Sequence, residues 1–207
     1  MLPQQETLTS VARYTGAILA GGKSSRMGSA KQELVLPDGR TILDRLVSTL
    51  LEICPSVIIV GESGGNEEPS SSRVTRLADL HPGFGPLSGM EALFASGADQ
   101  GYVVTACDQP LLTASLLGRL FVGDPSRAHL FRASDPGSFY PFPGYYPASM
   151  LPLVSQSLKA GRYSVHSLLT HVEPEWIPVA DSERSLLFNM NTPEELETLR
   201  KLLNAPD

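Results

Sequence analysis

The chain has 207 residues, 42% of them hydrophobic, which suits one large α/β domain with a continuous core better than two full domains. A net charge of -6 and a pI near 5.2 exclude a general nucleic-acid binder, which needs a basic face to release counterions. Cys54 and Cys107 are too few and too far apart for a disulfide framework, and no apolar run reaches the length of a membrane span, so the cytoplasm is the expected compartment.

In chain order, residues 1–14 are polar and read as a flexible N-terminal extension to a single domain over 15–205. Gly16 to Ala20 (GAILA) is a short apolar run ending at a glycine pair, the pattern of a buried strand that delivers a loop. The loop runs from Leu19 to Lys31 (LAGGKSSRMGSAK). Gln32 to Leu36 reads as a brief extended piece closed by a Pro37-Asp38-Gly39 turn. Thr41 with Asp44 resembles a capping box, and Ile42, Leu43, Leu46, Val47, Leu50 and Leu51 recur at helical spacing behind it.

Ser56 to Val60 reads as a second buried strand, followed by GESGGNEEPSSSR, a mobile surface loop by composition. Val74 to Leu77 reads as a third strand, HPGFGPLSG as a tight loop, Met90, Leu93 and Phe94 as one helix face, and Tyr102 to Ala106 as another strand. Alternating strands and helices imply parallel pairing, with ligands bound beyond the carboxyl ends of the strands. Further on, Leu116 to Phe121 reads as a helix fragment. Ser134 to Pro147 (SDPGSFYPFPGYYP) is too rich in breakers for regular structure and reads as a loop able to line a pocket. Ser149 to Ala160 and Ser164 to His171 come next as helices, and Trp176 to Val179 as a late strand. Thr192, Pro193 and Glu195 supply the cap of a last helix.

The first loop is the strongest chemical signal. No acidic residue occurs between Thr7 and Gln32, whereas Arg13, Lys23, Arg26 and Lys31 all fall there. Glycines let backbone N–H groups approach phosphate oxygens, and the cations offset the charge of an incoming anion. Gly22-Lys23-Ser24 mimics the end of a P-loop, but that motif needs a glycine where the chain has Ala17, so a P-loop ATPase is the weaker reading. No Gly-Xaa-Gly-Xaa-Xaa-Gly is present for a dinucleotide fold. Asp108 comes after the strand YVVTA and Cys107; a carboxylate there can ligate Mg²⁺, or simply cap the next helix. HPGFGPLSG could wall a flat base pocket or be a tight connection. In NMNTP, Asn189 and Asn191 aim to one side if the segment is extended, while Thr192 and Pro193 serve the helix start. His81, His129, His166 and His171 form no acid–base arrangement and are expected on the surface or in loops.

Taken in order, LAGGKSSRMGSAK, GPLSG, ACDQP and NMNTPEEL resemble the molybdenum cofactor guanylyltransferase family. The resemblance implies a Rossmann-like, three-layer nucleotidyltransferase fold with a mainly parallel central sheet, which binds GTP and Mg²⁺ on one side of a cleft and molybdopterin on the other. It implies nucleotide contacts at Leu19, Ala20, Gly21, Gly22, Asp79 and Gly85, with Asp79 acting through ribose hydroxyls. Lys31 and Arg26 would do the phosphate work, Asp108 would hold the metal, and Asn189 and Asn191 would lie on the molybdopterin side. A molybdoenzyme or insertion partner would receive the product.

Cytidylyl-transferring relatives usually carry Ala-Gly where this chain has Gly21-Gly22 and lack a GPL-type motif, which favours guanine. The chain departs from the family after the second strand, where Gly61 and Glu62 stand in place of a base-contacting Asn. It departs again at Tyr145 and Tyr146. Cytidylyl transfer, transfer to a sugar phosphate, and a nucleotide-binding adaptor are the alternatives.

Overall fold

The computed structural model describes residues 14–21, 34–61, 71–135 and 137–204. Most of the N-terminal extension, most of the glycine-rich loop and residues 62–70 lie outside the described residues. The strands are β1 (Thr15–Leu19), β2 (Val57–Gly61), β3 (Val74–Ala78), β4 (Gly101–Ala106), β5 (His129–Arg132), β6 (Phe139–Pro147) and β7 (Glu175–Pro178). They form one sheet in the order β3-β2-β1-β4-β6-β5-β7. β1 pairs in parallel with β2 and β4, as do β2 with β3 and β5 with β7, while β6 runs antiparallel to β4 and β5.

The apolar strands are buried on both faces because helices cover both, as parallel sheets require. Side chains alternate between faces along each strand. Ile18, Val57, Ile59 and Val103 pack on one side against α1 (Ile42–Ile53), α3 (Ala114–Gly118) and Leu199 of α6 (Pro193–Asn204). Ala17, Leu19, Ile58, Val60, Tyr102 and Val104 pack on the other against α2 (Pro86–Ala95), α4 (Leu151–Lys159) and α5 (Val165–Leu169). This is the expected three-layer, mainly parallel arrangement.

Helix α1 starts where the sequence pattern puts it. The Asp44 N–H donates to Thr41 Oγ1 at 3.0 Å and the Thr41 N–H to Asp44 Oδ2 at 3.1 Å, which satisfies donors that a helix start leaves open. Val35 bridges to Thr41 across the Pro37-Asp38-Gly39 turn, with Gly39 at φ 79°.

The Pro-rich segment corrects the sequence reading: residues 139–147 are not an irregular loop but a central strand, β6. The prolines are accommodated because the ladder is interrupted where they fall. Tyr145 and Gly144 pair with His129 and Leu130, the register then shifts, and Phe139 and Tyr140 pair with Arg132 and Phe131. Pro141 and the cis-linked Pro143 occupy the bulge between, and Pro147 ends the strand, so neither ladder must find a donor that proline lacks. Tyr145 and Tyr146 are consequently core residues rather than pocket lining. The Tyr145 hydroxyl donates to Pro125 O at 2.9 Å, that of Tyr146 donates to Pro141 O, and burial pushes both phenols well above their ordinary range.

His129 is the second correction. It is buried in β5, not at the surface, and its Nδ1 and Nε2 each lie 2.8 Å from a backbone carbonyl, of Leu120 and of Asp124. The four-residue strand around it is too short to register as a periodic signal.

Candidate active site

The order β3-β2-β1-β4 contains a reversal. The connection through α1 leads from β1 to β2 over one face of the sheet, and the connection through α2 returns over the other to place β4 beside β1. β1 and β4 lie side by side in parallel, so the segments leaving their carboxyl ends meet at one edge of the sheet, the position of the ligand crevice in such sheets. Both chemistry-bearing segments are delivered there. β1 ends at Leu19 and runs into Ala20 and Gly21; β4 ends at Ala106 and runs into Cys107 and Asp108. The Cys107 N–H donates to Leu19 O at 3.2 Å and the Ala20 N–H to Val60 O at 2.7 Å, so the base of the crevice is laced together by backbone.

Leu19 points its side chain into the core, where it is 7% exposed, so the backbone is what it offers a ligand. Gly21 is exposed. Asp79, just past β3, is brought to it: a Cβ added at Gly21 would lie 3.7 Å from Asp79 Oδ2. The other carboxylate oxygen accepts the His81 N–H at 3.0 Å and the Ser88 hydroxyl. Gly85 takes φ 76° at the N-cap of α2, and a Cβ there would meet Tyr163 O at 3.3 Å; conformation and close approach both account for glycine at this point. Its contact in the structure is the connection between α4 and α5.

On the other side of the crevice, the Met190 N–H donates to Asp108 O at 2.7 Å. Met190 is fully buried while Asn189 and Asn191 on either side of it are exposed, the alternation that turns both amides away from the core. The Asn191 and Thr192 N–H groups both reach Glu195 Oε2, so the capping expected of Thr192 and Glu195 anchors the asparagine segment. The structure thus assembles Leu19, Ala20, Gly21 and Asp79 on one flank and Asp108, Asn189 and Asn191 on the other. Gly22, Arg26 and Lys31 lie outside the described residues.

Two supporting residues escaped the sequence reading. Gly61 ends β2 so close to the segment after β1 that a Cβ would sit 2.9 Å from the Gly21 nitrogen and 3.0 Å from the Ala20 carbonyl carbon. Its place beside Glu62 was legible only as a departure from a familiar pattern. Gln109 is 1% exposed; its Nε2 donates to Phe142 O at 2.7 Å and its Oε1 accepts the Ala106 N–H at 3.3 Å, bracing the Asp108 turn against β6. No local signal marks a glutamine as buried.

Among the described residues no group of three or more His, Cys, Asp and Glu could hold a metal. Mg²⁺ needs no such group, since it takes one or two carboxylates and completes its shell with phosphate oxygens and water. Asp108, a hard oxygen donor at the crevice, fits that donor set. No described helix is long and apolar enough to cross a membrane.

The sequence model of the MobA-like NTP transferase domain matches residues 16–175. The chain belongs to this family. Its relatives include a molybdenum cofactor guanylyltransferase of Xanthomonas euvesicatoria pv. vesicatoria, 35% identical over 90% of this chain and 94% of that protein. A probable molybdenum cofactor guanylyltransferase of Carboxydothermus hydrogenoformans is 30% identical over 93% and 98%. Among solved structures, molybdopterin-guanine dinucleotide biosynthesis protein A of Archaeoglobus fulgidus superposes with a TM-score of 0.75 at 23% identity, covering 91% of this chain and 98% of that one. The 2-C-methyl-D-erythritol 4-phosphate cytidylyltransferase of Thermus thermophilus reaches 0.69 at 14%, covering 93% and 100%. MobA-like transferases and this cytidylyltransferase therefore share the fold, and the fold by itself does not select the base.

Proposed function

We propose that this chain transfers the guanylyl group of GTP to the terminal phosphate of molybdopterin, releasing pyrophosphate, with Mg²⁺ held at Asp108. The observation that carries the reading is the pairing, across the β1/β4 crevice, of the Leu19–Gly21 loop and Asp79 with Asp108 and the Asn189/Asn191 pair. The guanylyltransferase names of relatives at 30–35% identity support guanine and molybdopterin as the substrates.

A phosphate oxygen of molybdopterin forms the new bond to the α-phosphorus of GTP, and the bond from that phosphorus to the β-phosphate bridging oxygen breaks with its electron pair leaving on pyrophosphate. A phosphate monoester has a second pKa near 6, so the nucleophile is already ionised at neutral pH and no general base is needed. The chain's work is alignment. Backbone groups of the Leu19–Gly22 loop and Asp79 hold the nucleotide, Asn189 and Asn191 hold the acceptor, and Lys31 with Arg26 offset charge that shifts onto the leaving group. Mg²⁺ at Asp108 would supply Lewis-acid neutralisation of the phosphate oxygens.

The test is pyrophosphate release with molybdopterin, Mg²⁺ and either GTP or CTP. GTP is expected to turn over and CTP to be poor; equal or reversed use would reassign the base, and nucleotide binding without release would indicate an adaptor. Asp108→Ala is expected to lower kcat roughly 100- to 1000-fold in a folded protein. Near-normal turnover of that variant at saturating Mg²⁺ and GTP would sink the metal assignment.

A further inference from the structure

Ser88 lies in the first turn of α2 with no exposed surface, between Leu87 and Gly89, which are also buried. Packing explains Gly89, where a Cβ would press on Leu19 and Val60 at 3.1 and 3.4 Å. Packing does not explain the hydroxyl at 88. A buried hydroxyl carries a desolvation cost unless it is hydrogen-bonded, and alanine would fill a similar space without it.

The hydroxyl's partners are specific. Ser88 Oγ donates to Asp79 Oδ1 and accepts the His81 N–H at 2.9 Å; the same N–H also reaches Asp79 Oδ1 at 3.0 Å. A carboxylate oxygen has two lone pairs. Both of those on Oδ1 are therefore engaged from the side of the protein, while Oδ2 is turned toward Gly21.

We propose that Ser88 is a positioning residue for nucleotide binding: its hydroxyl pins one oxygen of Asp79 so that the other is presented at a fixed point beside the Gly21 loop. The inference rests on the reading of Asp79 as a nucleotide-holding acid. Without the hydroxyl, one N–H still reaches Oδ1, but the carboxylate gains freedom about χ2 and its ligand oxygen is no longer fixed before binding. Recognition is shaped by the same contact. With Oδ1 engaged, Asp79 offers the nucleotide one oxygen rather than the two-oxygen fork that grips two adjacent N–H groups.

The experiment is steady-state pyrophosphate release at varied GTP for wild type, Ser88→Ala, Asp79→Ala and the double variant, with melting temperatures alongside. Ser88→Ala is expected to raise KM for GTP about 3- to 10-fold with kcat within about 2-fold, the net size of one ordinary hydrogen bond, because the His81 N–H still holds Oδ1. Adding Ser88→Ala to Asp79→Ala is expected to move KM by less than about 2-fold, because the hydroxyl acts through the carboxylate. An unchanged KM in Ser88→Ala beside a raised KM in Asp79→Ala overturns the inference and leaves the Asp79 reading standing. An unchanged KM in Asp79→Ala overturns that reading and the inference with it. Equal effects of Ser88→Ala in both backgrounds assign the serine a packing role and overturn the proposal. Should Ser88→Ala not fold, Ser88→Cys, of similar size and with only a weak donor, is expected to show the same rise in KM.

Discussion

A methyl group on Gly61 would have to displace backbone, because the atoms in its way are the Gly21 nitrogen and the carbonyl group of Ala20. Backbone cannot rotate aside as the end of a side chain can. The strand end of β2 therefore fixes the position of Ala20 and Gly21, and on the proposed function Gly61→Ala is expected to lower kcat/KM for GTP on the order of 10- to 100-fold, the usual cost of misplacing a reacting group by part of an ångström. Kinetics on the purified variant would decide it; an unaltered kcat/KM would show that the loop absorbs the shift. At this scale the sequence was an uneven guide. Asp108 and the asparagine pair could be named because acids and amides after a strand carry their chemistry in their type. Gly61, Ser88 and Gln109 could not, because their roles consist of what lies against them, which residue type does not reveal.

Elements were legible where periodicity is local. Helix α1 announces itself through six apolar positions at helical spacing and a cap whose two hydrogen bonds lie within four residues. β6 does not. Three prolines in nine residues argue against a strand, and the counter-argument is a register shift in the neighbouring ladder that the segment itself cannot express. Gly144 marks how tightly that strand is seated, since a Cβ there would fall 2.6 Å from Leu130 Cδ2 and 2.9 Å from the Tyr146 ring. Gly144→Ala is expected to cost about 1–3 kcal/mol by overpacking while leaving KM for GTP unchanged. Denaturant unfolding beside GTP kinetics separates the two effects; a loss of less than about 0.5 kcal/mol would mean that the bulge relaxes freely.

Over the whole molecule, groups buried in both layers couple stability to alkaline pH. The Cys54 thiol, on the α1 face, is pushed up to about 12 by burial, with Asp99 adding to the rise and Arg73 offsetting part of it. Its ordinary value is 9.0, so between those values the unfolded chain gives up a proton that the folded chain keeps. Folded protein then binds more protons than unfolded, and stability falls as pH rises. The buried phenols of Tyr145 and Tyr146 act in the same direction once pH passes about 10. Unfolding midpoints are expected to drop from about pH 8.5 upward in wild type and to drop less steeply between about pH 9 and 10 in Cys54→Ala; parallel slopes would remove Cys54 from the account.

The sequence by itself determined the layer architecture of the first half, the starts of α1 and α6, the net negative charge, and the loop and acid that point to phosphate chemistry. Each arises from residue type and short-range spacing, which the local backbone obeys directly. Only the tertiary structure decided that β4 lies beside β1, so that Cys107, next to Asp108, bonds Leu19, and that Asp79 reaches Gly21 from β3. It also decided that the Pro-rich segment completes the sheet and that His129 is internal. Those outcomes depend on strand order and on contacts between residues tens of positions apart, which no window along the chain contains.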